Sequence, residues 1–247
     1  MQVDISGQNA LITGASRGIG RASALAFAKE GVNVAVTARN EEQLASLVEE
    51  CEAMGVKALA LPADATDHEA VFANVEKGIE TFGHFDILVN NAGVAKYADV
   101  VDHTIDDYNW MMDTNMKSTF IFTRATLPQM IERKSGIVIF VSSQAGVAGF
   151  PGEAVYCATK HAQVGFAHAL DGEVREKNIR VSIIEPGGVG TTFAFGTGRE
   201  EGMPALDEMS RAETVADAIV FASKVPPQTR ILEIGMRPMS EKLYGGA

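Results

Sequence analysis

Asn9-Ala-Leu-Ile-Thr13 is a short apolar run that leads directly into Gly14-Ala-Ser-Arg-Gly18-Ile-Gly20, and the helical stretch Arg21 to Glu30 follows. Strand, glycine turn and helix in that order present backbone N–H groups at a helix N-terminus. The glycines permit unusual backbone angles and close approach of a negatively charged group. The ligand suggested is a dinucleotide, held by its pyrophosphate at Gly14, Ser16, Arg17, Gly18, Ile19 and Gly20. With 24 glycines in the chain, the triplet alone is weak and a purely structural turn is the alternative. The flanking strand and helix favour the ligand.

Working outward, β-branched apolar runs alternate with longer amphipathic stretches. The spacing predicts strands at 9–13, 33–38, 57–61, 86–89, 136–141, 180–185 and 230–234, and helices near 18–30, 41–54, 67–82, 104–132, 154–177 and 212–223. Such alternation predicts an α/β fold: a doubly wound parallel sheet of about seven strands with helices on both faces. Ser210-Arg-Ala-Glu213 has the spacing of a capping box for the last helix. Right-handed crossovers then bring the strand ends near Gly14, Asn90, Ser143 and Pro186 to one rim, where a single site is expected.

Composition bounds the function classes. A chain of 247 residues, 46% hydrophobic and 21% charged, fits one domain over residues 1–247, with no linker, repeat or low-complexity run. No apolar stretch approaches the roughly 18 residues of a membrane helix, and the first residues lack a leader pattern, so a cytoplasmic location is expected. Cys51 and Cys157 are too few for a disulfide framework. A formal charge of −11 disfavours nucleic acid and anionic membrane partners, which need clustered cations. His68, His84, His103, His161 and His168 make no metal motif with the cysteines.

Tyr156 and Lys160 stand one turn apart in Tyr-Cys-Ala-Thr-Lys, and Ser143 lies thirteen residues upstream of Tyr156, after Ile137-Val-Ile-Phe-Val141. Residues at i and i+4 share a helix face, so the ammonium is expected beside the phenol, lowering a pKa that is ordinarily about 10. Ser143 would then hydrogen-bond a carbonyl oxygen while Tyr156 moves the proton. For this pair alone, an ordinary amphipathic helix is the alternative.

Together, Thr13-Gly-Ala-Ser-Arg-Gly-Ile-Gly20, Asn90-Asn-Ala-Gly93, Asn115, Ser143, Tyr156-x-x-x-Lys160 and Pro186-Gly187 with Thr191 strongly resemble the short-chain dehydrogenase/reductase family, across essentially the whole chain. The resemblance implies a nicotinamide-dependent oxidoreductase with a Rossmann-type fold and a catalytic set of Asn115, Ser143, Tyr156 and Lys160. It further implies that Asn90, Ala92 and Gly93 flank the cofactor and that Asp64 meets its adenine. Pro186, Gly187 and Thr191 would position the carboxamide, and Lys160 would hold the nicotinamide ribose. Asn115 would join a proton relay to Lys160; an exposed asparagine on a helix face is the alternative. The serine offset matches the family at Ser143, leaving Ser142 a structural role. Relatives assemble through two long helices, so a homo-oligomer, tetramer or dimer, is expected.

Cofactor choice is read at the second strand. Where an acidic residue commonly binds the ribose hydroxyls there is Ala38, followed by Arg39, and Arg17 sits inside the glycine turn. Two guanidinium groups facing a 2′-phosphate favour NADP(H); solvated surface charges are the alternative. The glycine-rich segment Gly187 to Gly198 suggests a mobile lid, and Phe150, Phe193, Phe195, Val94 and Ala145 suggest an apolar wall for a small carbonyl or alcohol substrate. No basic cluster marks an anionic substrate. A 3-oxoacyl reductase acting on acyl-carrier thioesters and a non-catalytic NADP(H)-binding regulator remain the other readings.

Overall fold

A computed structural model describes residues 2–241. Seven strands form one parallel sheet: β1 Asn9–Thr13, β2 Asn33–Thr37, β3 Ala58–Ala60, β4 Ile87–Asn90, β5 Gly136–Val141, β6 Ile179–Pro186 and β7 Glu233–Met236. Their order across the sheet is β3-β2-β1-β4-β5-β6-β7. The helices are α1 Gly18–Lys29, α2 Glu41–Glu52, α3 His68–Phe82, α4 Ile105–Met112, α5 Ser118–Arg133, α6 Ala154–Val174 and α7 Ala212–Ser223.

Period-2 alternation along the strands divides the core into two layers. Leu11 pairs with Ala35 and Leu88, and Leu88 with Val138; their side chains pack with Val71, Ile121, Phe122, Ala167 and Leu170 of α3, α5 and α6. The intervening residues Ile12, Val36, Val89 and Ile139 pack with Phe27, Leu44, Val215 and Ile219 of α1, α2 and α7. Both faces are buried, which is why the strands read as continuous apolar runs rather than as polar and apolar in turn.

The order reverses beside β1: the chain runs outward to β2 and β3, then returns to place β4 on the other side of β1. Loops leaving the carboxyl ends of β1 and β4 diverge there and open the crevice in which such sheets bind ligands. Thr13, Asn90, Val141 and Pro186 end their strands on this rim.

Three elements differ from the sequence reading. The helix predicted over 104–132 is broken by a π-turn, Asp113–Lys117, between α4 and α5; polar Asn115 sits in that turn, fully buried. The strand predicted at 230–234 forms at Glu233–Met236, although Ile231 and Leu232 still accept hydrogen bonds from Ser182 Oγ and Ile183 N. The capping box at Ser210 is absent. Arg211 precedes α7 with no side-chain cap, because Ser210 is committed by its backbone to Gly188 and Gly190. A capping box forms instead at α4, between Thr104 and Asp107.

β6 also buries a carboxyl. Glu185 is 4% exposed, and its Oε1 has no hydrogen-bond partner among the described residues. Burial first and Glu233 second push its pKa from about 4.5 up to about 7, with His168 opposing. The folded pKa lies above the unfolded one, so this group favours folding at acid pH and that contribution is lost as pH rises through about 7. Glu185→Gln is therefore expected to lose less thermal stability than the unsubstituted protein between acid and mildly alkaline pH. Thermal melts at both pH values check this, and parallel losses in the two proteins refute it.

Candidate active site

The glycine turn between β1 and α1 has the geometry its sequence implies. Gly14 and Gly18 have φ of +63° and +56°, and a Cβ on Gly20 would lie 2.4 Å from the Gly14 carbonyl oxygen. Arg17 precedes α1 without a side-chain cap, so the first-turn amides of the helix are not occupied by a cap. The turn is braced from β4. Asn91 Nδ2 donates to the carbonyls of Thr13 at 2.8 Å and Gly14 at 3.2 Å, while Thr13 Oγ1 accepts from Asn91 N and Ala92 N, both at 2.9 Å.

A cavity of about 850 Å³ opens over this rim. Gly14, Ser16, Arg17, Gly18, Ile19, Arg39, Asp64, Ala92, Gly93, Ser143, Tyr156, Lys160, Pro186, Gly187 and Thr191 all line it. Three expected residues do not. Gly20 is buried behind the turn, where its lack of a side chain permits close packing. Asn115 lies behind Gly93, its Oδ1 accepting from Val94 N at 2.7 Å and its Nδ2 donating to Val94 O and Thr159 Oγ1, both at 2.9 Å. Asn90 faces α5 and donates to Thr123 Oγ1 at 3.0 Å. Adjacent strand residues point to opposite faces, so Asn91, not Asn90, turns toward the glycine loop.

At the far end, the Ser143 hydroxyl lies beside the Tyr156 phenol and opposes the rise of its pKa, while Ser143 Oγ donates to Pro186 O at 3.4 Å. Ser143 is held by Ala145 N, which donates to its Oγ at 3.1 Å. Tyr156 is 6% exposed, with Tyr97 edge-on at 6.0 Å and Phe193 also at 6.0 Å. Burial drives its pKa upward, and the neighbouring Tyr97 and Glu153 add to the rise. This reverses the expected lowering. Lys160 Nζ lies 5.7 Å from the centre of the phenol ring and donates instead to Val141 O at 3.0 Å and Gln163 Oε1 at 2.9 Å. Its own burial lowers the Lys160 pKa to about 7. The phenol is thus held neutral, as a proton donor.

The substrate end is more polar than its sequence suggests. Val94, Ala145, Phe150 and Phe193 line it as expected, but Phe195 does not. Tyr97, Gln144, Glu153, Arg199 and Arg237 also line the cavity. Arg199 stacks 5.8 Å from the Tyr97 ring, and Arg237 Nε donates to Gln144 Oε1 at 2.9 Å. The segment read as a lid is anchored by Tyr97 N to Thr197 O at 2.8 Å and Thr197 Oγ1 to Ala95 O at 2.7 Å.

The sequence profile described as short chain dehydrogenase matches residues 8–201. The chain belongs to the short-chain dehydrogenase family. It is similar to 3-oxoacyl-[acyl-carrier-protein] reductase FabG of Staphylococcus aureus, 39% identical over 73% of this chain and 74% of that one. It is similar to sepiapterin reductase of Chlorobaculum tepidum, 35% identical over 93% and 96%. Among solved structures it resembles an alcohol dehydrogenase of Thermococcus sibiricus complexed with 5-hydroxy-NADP, with a TM-score of 0.88, 26% identity and coverage of 96% and 98%.

This short-chain dehydrogenase is an oxidoreductase, and NADP(H) fits its cavity. The glycine turn lines the cavity, Arg17 in that turn and Arg39 after β2 supply cations to it, and no acidic side chain follows β2 before Glu41. Asp64 lines the same end and accepts from Thr66 N and Oγ1, both at 2.8 Å. These two hydrogen bonds, with Arg39 nearby, hold its carboxyl below the usual range. Sequence reasoning missed Asn91, Tyr97, Arg199, Arg237 and Gln163. Only Gln163 carried a local signal, as a polar residue one turn beyond Lys160 between the small or apolar Ala162 and Val164.

Proposed function

We propose that the protein catalyses NADP(H)-dependent hydride transfer between a nicotinamide and a small carbonyl or alcohol substrate, with Tyr156 as the proton-transferring group. The observation that carries this reading is one cavity lined at one end by Ser143, Tyr156 and Lys160 and at the other by the glycine turn with Arg17 and Arg39. When bound, the nicotinamide donates the hydride in reduction and accepts it in oxidation. Ser143 orients the substrate oxygen. In reduction Tyr156 gives its phenolic proton to that oxygen, and the resulting phenolate is stabilised by Ser143 and the Lys160 charge before it regains a proton from solvent. In oxidation the phenolate removes the hydroxyl proton. Asn115 supports the segment Gly93-Val94 that lines the cavity.

Loss of reduced-nicotinamide absorbance with ketones, aldehydes, diketones and 3-oxoacyl thioesters tests the reaction. A 3-oxoacyl-thioester reductase is the second reading, supported by the Staphylococcus aureus relative, and activity confined to the thioesters would select it. NADPH binding without turnover across all classes would favour a regulator. Cofactor choice has its own test. Arg39→Ala is expected to weaken NADPH binding by about ten-fold or more through loss of a charge-assisted contact, and to leave NADH binding unchanged. Fluorescence titration with both cofactors checks it, and an unaltered NADPH affinity removes Arg39 from the phosphate site.

A further inference from the structure

Gln163, in the catalytic neighbourhood, has a polar side chain that is completely buried, at 0% exposure, and the proposed reaction gives it no role. It lies three residues beyond Lys160 on α6, so the two side chains share a helix face. Its carbonyl oxygen and its amide nitrogen are both engaged. Its Oε1 accepts from Lys160 Nζ at 2.9 Å, and its Nε2 donates to Asn115 O at 2.9 Å and Thr119 Oγ1 at 2.8 Å.

The partner at the other end explains why an amide is there. Asn115 lies in the π-turn Asp113–Lys117, where the regular helical ladder is interrupted and a backbone carbonyl needs another donor. Asn115 O obtains two, Thr119 Oγ1 at 2.7 Å and Gln163 Nε2. Gln163 therefore joins the π-turn, the start of α5 and the lysine through one neutral group. A hydrocarbon of the same length would leave both the ammonium and the carbonyl short of a partner. A carboxylate would supply the ammonium with a partner but present no N–H to the carbonyl, and would cancel the positive charge.

We propose that Gln163 is a positioning residue for Lys160, holding the ammonium beside the cavity and against the π-turn without neutralising it. This rests on the proposed role of Lys160 as the cation that supports the phenol. The surroundings make the lysine unusually sensitive to its amide partner. β5 presents the Val141 carbonyl, the segment after β4 presents Gly93, the π-turn presents Asn115, and α6 presents Tyr156 and Gln163. Of these only Tyr156 titrates. Burial lowers the Lys160 pKa and no carboxylate faces it among the described residues, so the groups that favour its charged form are the acceptors Val141 O and Gln163 Oε1.

The test is NMR titration of the full-length protein with labelled lysine side chains, the Lys160 signal being assigned by its loss in Lys160→Arg. Gln163→Met removes the acceptor and disfavours the charged amine, so the midpoint should fall by about one pH unit. Gln163→Glu places an anion beside the ammonium, so the midpoint should rise by about one pH unit or more. A role limited to packing would alter melting temperature without moving the midpoints in opposite directions. Equal midpoints in the two folded variants and the unsubstituted protein overturn the proposal. Should neither variant fold, the unsubstituted protein decides: the Gln163 side-chain amide signals should shift with the Lys160 titration, and signals that ignore it also overturn the proposal. The titration requires no turnover, so its failure is separate from failure of the proposed reaction.

Discussion

Tyr156→Phe is expected to bind NADPH as the unsubstituted protein does and to lose turnover by about 10²–10⁴-fold, the usual contribution of a positioned acid or base. The substitution removes one oxygen and leaves the ring. The edge-on contact with Tyr97 at 6.0 Å and the contact with Phe193 at 6.0 Å both belong to the ring and remain. The buried cluster of Ala95, Met111, Ala145, Cys157 and Ala194 around it is likewise kept. What is lost is the phenolic oxygen beside Ser143, with the proton that burial keeps on it at neutral pH. Folding, followed by thermal melting, should change little while the chemistry is abolished. Turnover within a few-fold of the unsubstituted rate would remove Tyr156 from the proton-transfer role.

The second large effect is expected at Gly20, which touches no cavity space. An added Cβ would stand 2.4 Å from the Gly14 carbonyl oxygen and 2.5 Å from Asn91 Nδ2. The first of these is backbone and cannot rotate away. The second is held by its hydrogen bonds to Thr13 O at 2.8 Å and Gly14 O at 3.2 Å. Gly20→Ala must therefore displace the turn itself, at a cost of about 1–3 kcal/mol in stability. Because the displaced atoms belong to the turn proposed to cradle the pyrophosphate, NADPH affinity should fall at least about ten-fold, equivalent to about 1.4 kcal/mol. Gly149→Ala, in open space, is the control and should alter neither quantity. Calorimetry and cofactor titration of both variants decide. A Gly20→Ala protein with unchanged stability and affinity would show that the turn can relax around the new methyl group.

Asn90 and Asn91 show how closely local reading approached the site and where it stopped. The pair was legible as the end of a strand beside the glycine turn, but which of the two faces β1 depends on the register of β4 against β1. That register follows from burying alternate residues into opposite layers and is a property of the whole sheet. Asn115 was legible as a polar interruption in a helical pattern. That the interruption is a π-turn, with its carbonyl capped from α6, required two helices distant in sequence to pack together.

The substrate end was the least legible. Arg199 and Arg237 are separated in the chain by α7 and meet the same cavity only because the segment after β6 and the segment after β7 converge over the rim. The electrostatics of the Tyr156–Lys160 pair departs from its spacing for a related reason. Spacing along α6 placed Lys160 one turn from Tyr156, but the direction of the ammonium was chosen by the Val141 carbonyl from β5 and by Gln163. Burial, which no local pattern measures, moved both pKa values the opposite way.

The chain by itself determined what depends on neighbours in sequence: the alternation of strands and helices, the glycine turn with its positive φ angles, the absence of an acid after β2, and the Tyr156–Lys160 spacing. Tertiary structure decided what depends on distant segments sharing one volume. It set the protonation of the phenol, the partner of the lysine, the asparagine that braces the turn and the polar lining of the substrate end, because desolvation and hydrogen-bond competition exist only once those segments are packed.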